Sequence, residues 1–391
     1  MKQGWEVKKL GEVCEELFAG GDVPKDNSSK IKSDVFNIPI FTNGEKNKGL
    51  YGYTNIARVT KPSITISARG TIGYSEIRDE AFYPAIRLIV VIPNTDILDL
   101  SFLKYVISSS DFIHSGSSIP QLTVPMVKDY PIPFPPLPEQ QRIVAILDEV
   151  FAAIEGAKAN AMQNLKNAKE LFDSYLQSVF ENRGEGWRER KLGDIVDFLN
   201  GYAFKSGDVI DNSNTQLLRM GNLYQNKLSL DRSPVFYPDE FTNIFNRYVL
   251  RENDLIISLT GTTGKEDYGF TVRIPKINKA LLLNQRISKI IIKDEKILNK
   301  DFLFHFLLSR VFLDILYATA NGTRQANLST ETMKALSFYF PISLVEQQTI
   351  VQKLDLLSAE TKRLEAIYQQ KIDNLEELKK SILQKAFNGE L

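Results

Sequence analysis

The chain has 391 residues, 43% of them hydrophobic and 25% charged, and 48 basic side chains balance 48 acidic ones. This is ordinary composition for folded domains, long enough for two or three cores, and zero net charge argues against a strong nonspecific grip on nucleic acid. One cysteine (Cys14) and two histidines (His114, His305) exclude an internal disulfide and leave no ligand set for structural zinc. No apolar run is long enough to span a bilayer and the start lacks a signal-peptide h-region, so a cytoplasmic protein without a membrane partner is expected.

In chain order, the first globular region opens with Gly4-Trp5-Glu6-Val7-Lys8-Lys9-Leu10-Gly11. Ile64 to Gly73 reads as a buried strand running into a Gly-rich turn, and Leu88 to Ile92, directly after Arg87, as a core strand. A short apolar helix around Phe102 to Ile107, a polar loop from Ser115 to Leu122 and a final strand from Tyr130 to Phe134 follow. Then Phe134-Pro135 leads through Glu139-Gln140-Gln141 into a helical pattern that ends near Phe180.

The second region repeats the first. Gly186-Trp187 to Lys191-Leu192-Gly193 copies the opening, and Leu255 to Gly264 parallels the strand and Gly-rich turn. Arg286 leads into the β-branched run Ile290 to Ile292, and a helix is expected around Phe302 to Phe312. A polar loop from Ala320 to Leu328 and a strand from Leu336 to Phe340 then hand over to Glu346-Gln347-Gln348 and a second helix ending near Phe387. From Glu139 and Glu346 onward the two helical segments align without a gap, which marks an internal duplication.

The helical segments carry a coiled-coil spacing. Ile143, Leu147, Val150, Ile154, Ala157, Ala161, Leu165, Ala168, Phe172, Tyr175 and Val179 step by four and three with one stutter, and Ile350 to Leu375 repeats the steps and the defect. Two seams with one matching defect predict two helices packed on each other, with Ala161 facing the region around Tyr368 or neighbours displaced by antiparallel register. Packing of each helix on its own globular domain is the alternative. Glu139 to Phe180 would span about 63 Å. The expected fold is therefore two α/β (α+β) domains, separated by two long antiparallel coiled-coil helices in a pseudo-twofold repeat. The boundaries are 1–138, a helical spacer 139–185, 186–345 and a second spacer 346–391. Charge follows this division: 15 basic and 15 acidic residues in 1–138, 21 and 17 in 186–345, but 5 and 8, then 7 and 8, in the spacers.

The two Glu-Gln-Gln helical repeats, each preceded by Phe-Pro, and the repeated Gly-Trp…Lys-Leu-Gly openings resemble the specificity subunits of Type I restriction-modification systems. The resemblance covers essentially the whole chain. It implies two target recognition domains that read the halves of a bipartite, asymmetric site in double-stranded DNA. It also implies that the helical spacers fix the gap and carry two methyltransferase subunits, with restriction (helicase-nuclease) subunits joining outside. Glu139, Gln140, Gln141, Glu346, Gln347 and Gln348 are the docking candidates it suggests. This chain would hold no cofactor of its own, with S-adenosylmethionine on the methyltransferase partner, and no metal.

The residues agree with a non-catalytic role. There is no Asn-Pro-Pro-Phe type motif and no Gly-x-Gly-x-x-Gly loop, and Gly261-Thr262-Thr263-Gly264-Lys265 fails the phosphate-loop spacing because Leu259 stands where the first glycine belongs. His114 and His305 read as packing residues and Cys14 as a small buried hydrophobe. A stand-alone DNA-binding regulator, a lone nuclease or methyltransferase, and a coiled-coil scaffold are the competing readings.

Base readout needs donors and acceptors on loops that enter a groove, with phosphate contacts fixing the register. In the first region the candidates are Asn43, Lys46, Lys48 and Tyr51, then Arg69, Thr71 and Tyr74, then Ser117 and Gln121. In the second they are Arg219 and Asn222, then Thr260, Thr262 and Lys265, then Thr323, Arg324 and Gln325. An ordinary polar surface turn is the alternative for each.

Overall fold

The computed structural model describes residues 3–110, 112, 121–319 and 325–391. The chain forms two compact units, one of residues 1–163 with 368–391 and one of residues 164–367. Each long helix therefore passes from one unit into the other.

In the first unit two β-branched strands buried on both faces, Ser63–Ile66 and Ile89–Pro93, make the middle of the central sheet. Its strands lie in the order Cys14–Ala19, Ile89–Pro93, Ser63–Ile66 and Ser75–Arg78, and all are antiparallel. Ile64, Ile66, Ile89 and Val91 bury against the helix Leu100–Ser108, whose Asp99 cap accepts from the Phe102 amide at 2.8 Å. A second sheet sets Ser28–Ser29, Leu50–Thr54, Ile38–Phe41 and Tyr83–Pro84 side by side, the last pair parallel. The opening strand Glu6–Lys9 pairs antiparallel with Pro131–Phe134, so the start of the domain is tied to the segment that enters the helix.

The second unit repeats this plan. Val196–Asn200, Ile287–Ile292, Leu255–Ser258 and Thr271–Arg273 form the antiparallel sheet. Phe236–Tyr237, Thr215–Leu218, Ala280–Leu283 and Val249–Leu250 form the other, with Thr215–Leu218 parallel to Ala280–Leu283. Trp187–Lys191 pairs with Ser337–Pro341. Sheets that are antiparallel except for one parallel pair, with helices grouped apart, make each domain α+β. Two local expectations need correction. The segment around Phe302 to Phe312 is two helices, Lys300–Leu308 and Arg310–Ala318, because Ser309 turns to an extended backbone and caps the second through its bond to the Phe312 amide. The Gly-rich turn after Leu255–Ser258 starts with a strand, Thr260–Thr262, which pairs with Gln325–Asn327 inside the stretch expected to be loop.

The long helices run Leu137–Glu181 and Leu344–Asn388. The first has Pro138 in its opening turn and the second stops at Gly389, which has positive φ, two devices that suit helix ends. Within the first unit they pair antiparallel: Glu155 meets Lys379, Lys158 meets Glu376, each at 2.8 Å, and Arg142 donates to the Leu391 carbonyl. These pairs bring Ala161 about level with Ile372, displaced from Tyr368 by the antiparallel register.

The seam is not purely helix on helix. Ile143, Leu147, Ile154, Ala161 and Ala168 are buried as spaced, but Tyr175 is 37% exposed, and Leu176 and Phe180 are buried in its place. Phe180 packs edge-on against Phe302, Phe306 and Trp187 of its own unit, so this end of the helix turns its stripe toward the domain. Helix pairing and packing on the domain are both present. Among the described residues no helix is long and apolar enough to cross a membrane, and no group of three or more His, Cys, Asp or Glu could hold a metal ion.

Candidate nucleic-acid interface

In each unit the chain leaves the parallel strand pair into loops that meet at one end of the sheets. In the first unit Asn43 is the knot: its Nδ2 donates to the Ile86 carbonyl at 2.6 Å and its Oδ1 accepts from the Ala68 amide at 2.7 Å. The Gly44 amide adds a bond to Ser67, and Arg78, buried beneath with its guanidinium over the Phe41 ring, donates to the Lys48 carbonyl. The turn Ala85 to Leu88 passes so near Gly20 that an added Cβ there would sit 2.5 Å from the Pro84 carbonyl oxygen. Ile86 and Arg87 both take positive φ, and both are exposed. A β-branched residue held there marks a strained turn fixed by its surroundings.

The second unit has the same parts. Gly201 is crowded by Asn284, the Gln285 amide bonds Tyr202 as the Ile86 amide bonds Gly21, and Ile287 closes on Asn284 as Leu88 closes on Ala85. The Leu328 amide bonds the Leu259 carbonyl where Leu122 bonds Ala68. Here the loops leave a pocket of about 420 Å³, lined by Arg219, Asn222, Arg232, Ser233, Asn284, Gln285 and Arg286 among others.

The sequence candidates divide into groups that face outward and groups used inside. Lys46, Lys48, Arg69 and Thr71 are exposed, and Arg69 binds the Gln121 side chain through both Nε (3.1 Å) and Nη2 (2.6 Å). Tyr51 is exposed, with the Lys30 ammonium 3.1 Å above its ring. Tyr74 donates to Glu76 at 2.7 Å, and burial together with that carboxylate pushes its hydroxyl up to about 12. Burial would raise Glu76, but the Tyr74 hydroxyl, Lys104 and Lys48 outweigh it and hold that carboxyl below its usual range. Asn43, half-buried, braces the loops through both ends of its amide.

In the second unit Asn222 is buried, accepting from the Arg219 amide and donating to the Ser229 and Arg232 carbonyls. Thr260 is buried against Met220, so it too braces the loops. Thr262 gives its amide and hydroxyl to Asp267 at 2.6 and 2.7 Å, while Lys265 is exposed. Burial would raise the Asp267 carboxyl, yet these bonds hold it below its usual range. Arg219 is half-buried and donates to the Ser233 carbonyl. Ser117, Thr323 and Arg324 lie outside the described residues, as does His114, and Gln325 is described only as backbone paired with Thr262.

Compared with known proteins, the type I restriction modification DNA specificity domain matches twice, over residues 2–164 and 184–376. The chain belongs to this family. A type I restriction enzyme specificity subunit, MjaVIII of Methanocaldococcus jannaschii, is 27% identical over 290 residues, which cover 71% of this chain and 65% of that one. A putative type I specificity subunit of Mycoplasma pneumoniae is 36% identical over 172 residues, 44% of this chain and 51% of the relative. These alignments therefore span only about half to two thirds of the relatives' own length. Among solved structures, a chain from work on complex assembly and conformational transition of the type I R-M system superposes with TM-score 0.77 at 20% identity, covering 100% of this chain and 99% of that one. The HsdS subunit from Thermoanaerobacter tengcongensis gives TM-score 0.60 at 21% identity, covering 100% and 98%. At that identity the likeness concerns the fold.

Within this specificity-domain fold, the Glu-Gln-Gln repeats have a use that residue type alone does not reveal. Gln140 is fully buried: its Oε1 accepts from the Asp99 amide, and its Nε2 donates to the Ile97 and Pro135 carbonyls. Gln347 does the same with Asn299, Ile297 and Pro341. Both are corrected from docking residues to clamps, because no part of either amide reaches a surface. Glu139 pairs with Arg142 and Glu346 accepts from the Trp187 indole at 3.1 Å, whereas Gln141 and Gln348 are exposed. His305, buried, bonds Asp355 at 2.9 Å, and Tyr105 bonds Asp148 in the matching place of the first unit. Cys14 is half-buried and burial pushes its thiol up to about 12, which leaves it inert. The sequence reading missed Arg232, Asn284 and Gln285, which only the fold brings beside Arg219. Arg286, noted in the sequence only as the counterpart of Arg87, was not among the candidates either.

Proposed function

We propose that this chain is the DNA-recognition subunit of a type I restriction-modification complex, reading a bipartite, asymmetric site in double-stranded DNA. The family match that falls twice on the chain, once on each globular region, carries this reading. Residues 1–138 and 186–345 act as the two target recognition domains and 139–185 and 346–391 as spacers. Loop groups contact the DNA: Lys46, Lys48, Tyr51, Arg69, Thr71 and Gln121 in one domain, Arg219, Thr262 and Lys265 in the other, with Ser117, Thr323, Arg324 and Gln325 completing the set. Tyr74 supports its loop through Glu76.

The chain recognises and does not react. Two methyltransferase subunits, which bind S-adenosylmethionine, dock beside the exposed Gln141 and Gln348 near the start of each helix, and restriction subunits join outside them. The helices set the gap between half-sites, and the assembly works in the cytoplasm, where genomic DNA is reached.

The test is to express the chain with the type I methyltransferase subunit of its source organism in a host free of other adenine methylation, then map methylated adenines across the genome. A two-part motif with a fixed gap is the expected result. An undivided motif, or methylation unchanged when this chain is left out, contradicts the proposal.

A further inference from the structure

Although the two domains share a plan, their loop ends differ in charge and shape. In the first unit the residues after the parallel strand are Thr42, Asn43 and Gly44, with Asn43 engaged internally, and the facing turn presents Ile86 and Arg87. In the second unit the same places carry Arg219 and the turn Gln285-Arg286, and Arg232 comes in from the following loop. The result is a concave site of about 420 Å³ whose lining includes three arginines, Asn284 and Gln285, and no carboxylate residue. Arg219 is held by the Ser233 carbonyl and Arg232 lies 5.2 Å from the Tyr224 ring, so two of the three cations are positioned before any ligand arrives.

Such a lining selects an acceptor-only, anionic ligand. Guanidinium groups that converge suit the oxygens of a phosphodiester, whereas a single arginine reading a guanine edge works best when it protrudes into the groove. We propose that the Arg219, Arg232 and Arg286 pocket seats a backbone phosphate of the DNA, making the second domain the electrostatic anchor of the pair. This rests on the DNA-recognition reading above. The charge distribution agrees, with 21 basic and 17 acidic residues in 186–345 against 15 of each in 1–138. The first domain then contributes mainly sequence discrimination through its exposed loops.

The experiment measures binding of the full chain, assembled with its methyltransferase partner, to a duplex carrying the methylation-mapped site and to a scrambled duplex, across a salt series. Arg232→Gln and Arg286→Gln each weaken both duplexes by a similar factor and reduce the slope of log affinity against log salt by about 1. Arg286→Lys, which keeps a point charge but loses the bidentate fork, retains most of the slope. Unchanged affinity and slope in both glutamine variants would overturn the inference. So would loss confined to the cognate duplex with the slope unchanged, because that is base readout. If the wild-type complex failed to prefer the mapped site, the recognition reading itself would fall. That outcome is distinct from a wild type that discriminates while its variants match it.

Discussion

Gln140 and Gln347 make the same three hydrogen bonds in two separate units, each taking a helix-cap amide and giving to two carbonyls of its own domain. The first residues of each long helix are thereby locked to the domain that precedes them. Replacing either with Ala strands one amide and two carbonyls in a buried place. We expect a loss of about 2 to 3 kcal/mol in chemical denaturation, with Gln→Glu little better because a carboxylate cannot donate. A loss under about 0.5 kcal/mol would mean the clamp contributes nothing.

His305 gives a pH dependence. Burial lowers its pKa from the ordinary 6.5, and this outweighs the opposing bond to Asp355. A depressed folded value means the unfolded chain binds the proton first. The contribution is therefore present above the unfolded pKa of 6.5 and lost as pH falls below it toward the folded value. The wild-type melting temperature should fall more steeply than that of His305→Gln as pH is lowered from 6.5. Parallel curves would exclude His305 as the source.

Arg69 and Gln121 face outward as a bonded pair, which suits recognition of one base pair. Arg69→Ala should weaken binding of the assembled complex by about 1 to 3 kcal/mol and relax sequence preference at one position of one half-site. Equal weakening on every sequence would reassign Arg69 to the DNA backbone.

Asn43 and Asn222 should behave oppositely to surface readers, because their amides tie loops together. Asn43→Ala or Asn222→Ala should lower stability by about 1 to 3 kcal/mol and blur several positions of one half-site. A clean change at one base with full stability would show direct contact instead.

Much of this architecture was legible because it is written in long, repeated spacings. The 45-residue helices, their shared stutter and the duplicated openings each involve many residues, so one exception such as Tyr175 does not obscure them. The loops were legible as places but not as roles. Whether an asparagine reads a base or braces a turn depends on what the fold sets within 3 Å, and nothing in the residue types around Asn43 specifies Ile86 and Ala68 as its partners. Likewise Ser309 reads as helix interior, yet it breaks one helix and caps the next. Arg232 lay beyond any local signal, since only folding brings it to Arg219 and Arg286.

The central claim is that the long helices set the distance between the half-sites. Insert one heptad after Gln163 and another after Ile367, where each helix passes between the compact units. Seven residues keep the seam in phase and lengthen each helix by about 10.5 Å, close to three base pairs of duplex at about 3.4 Å each. Methylation mapping should then return the same two half-sites with a gap wider by about three base pairs. The same half-sites with an unchanged gap would contradict the account.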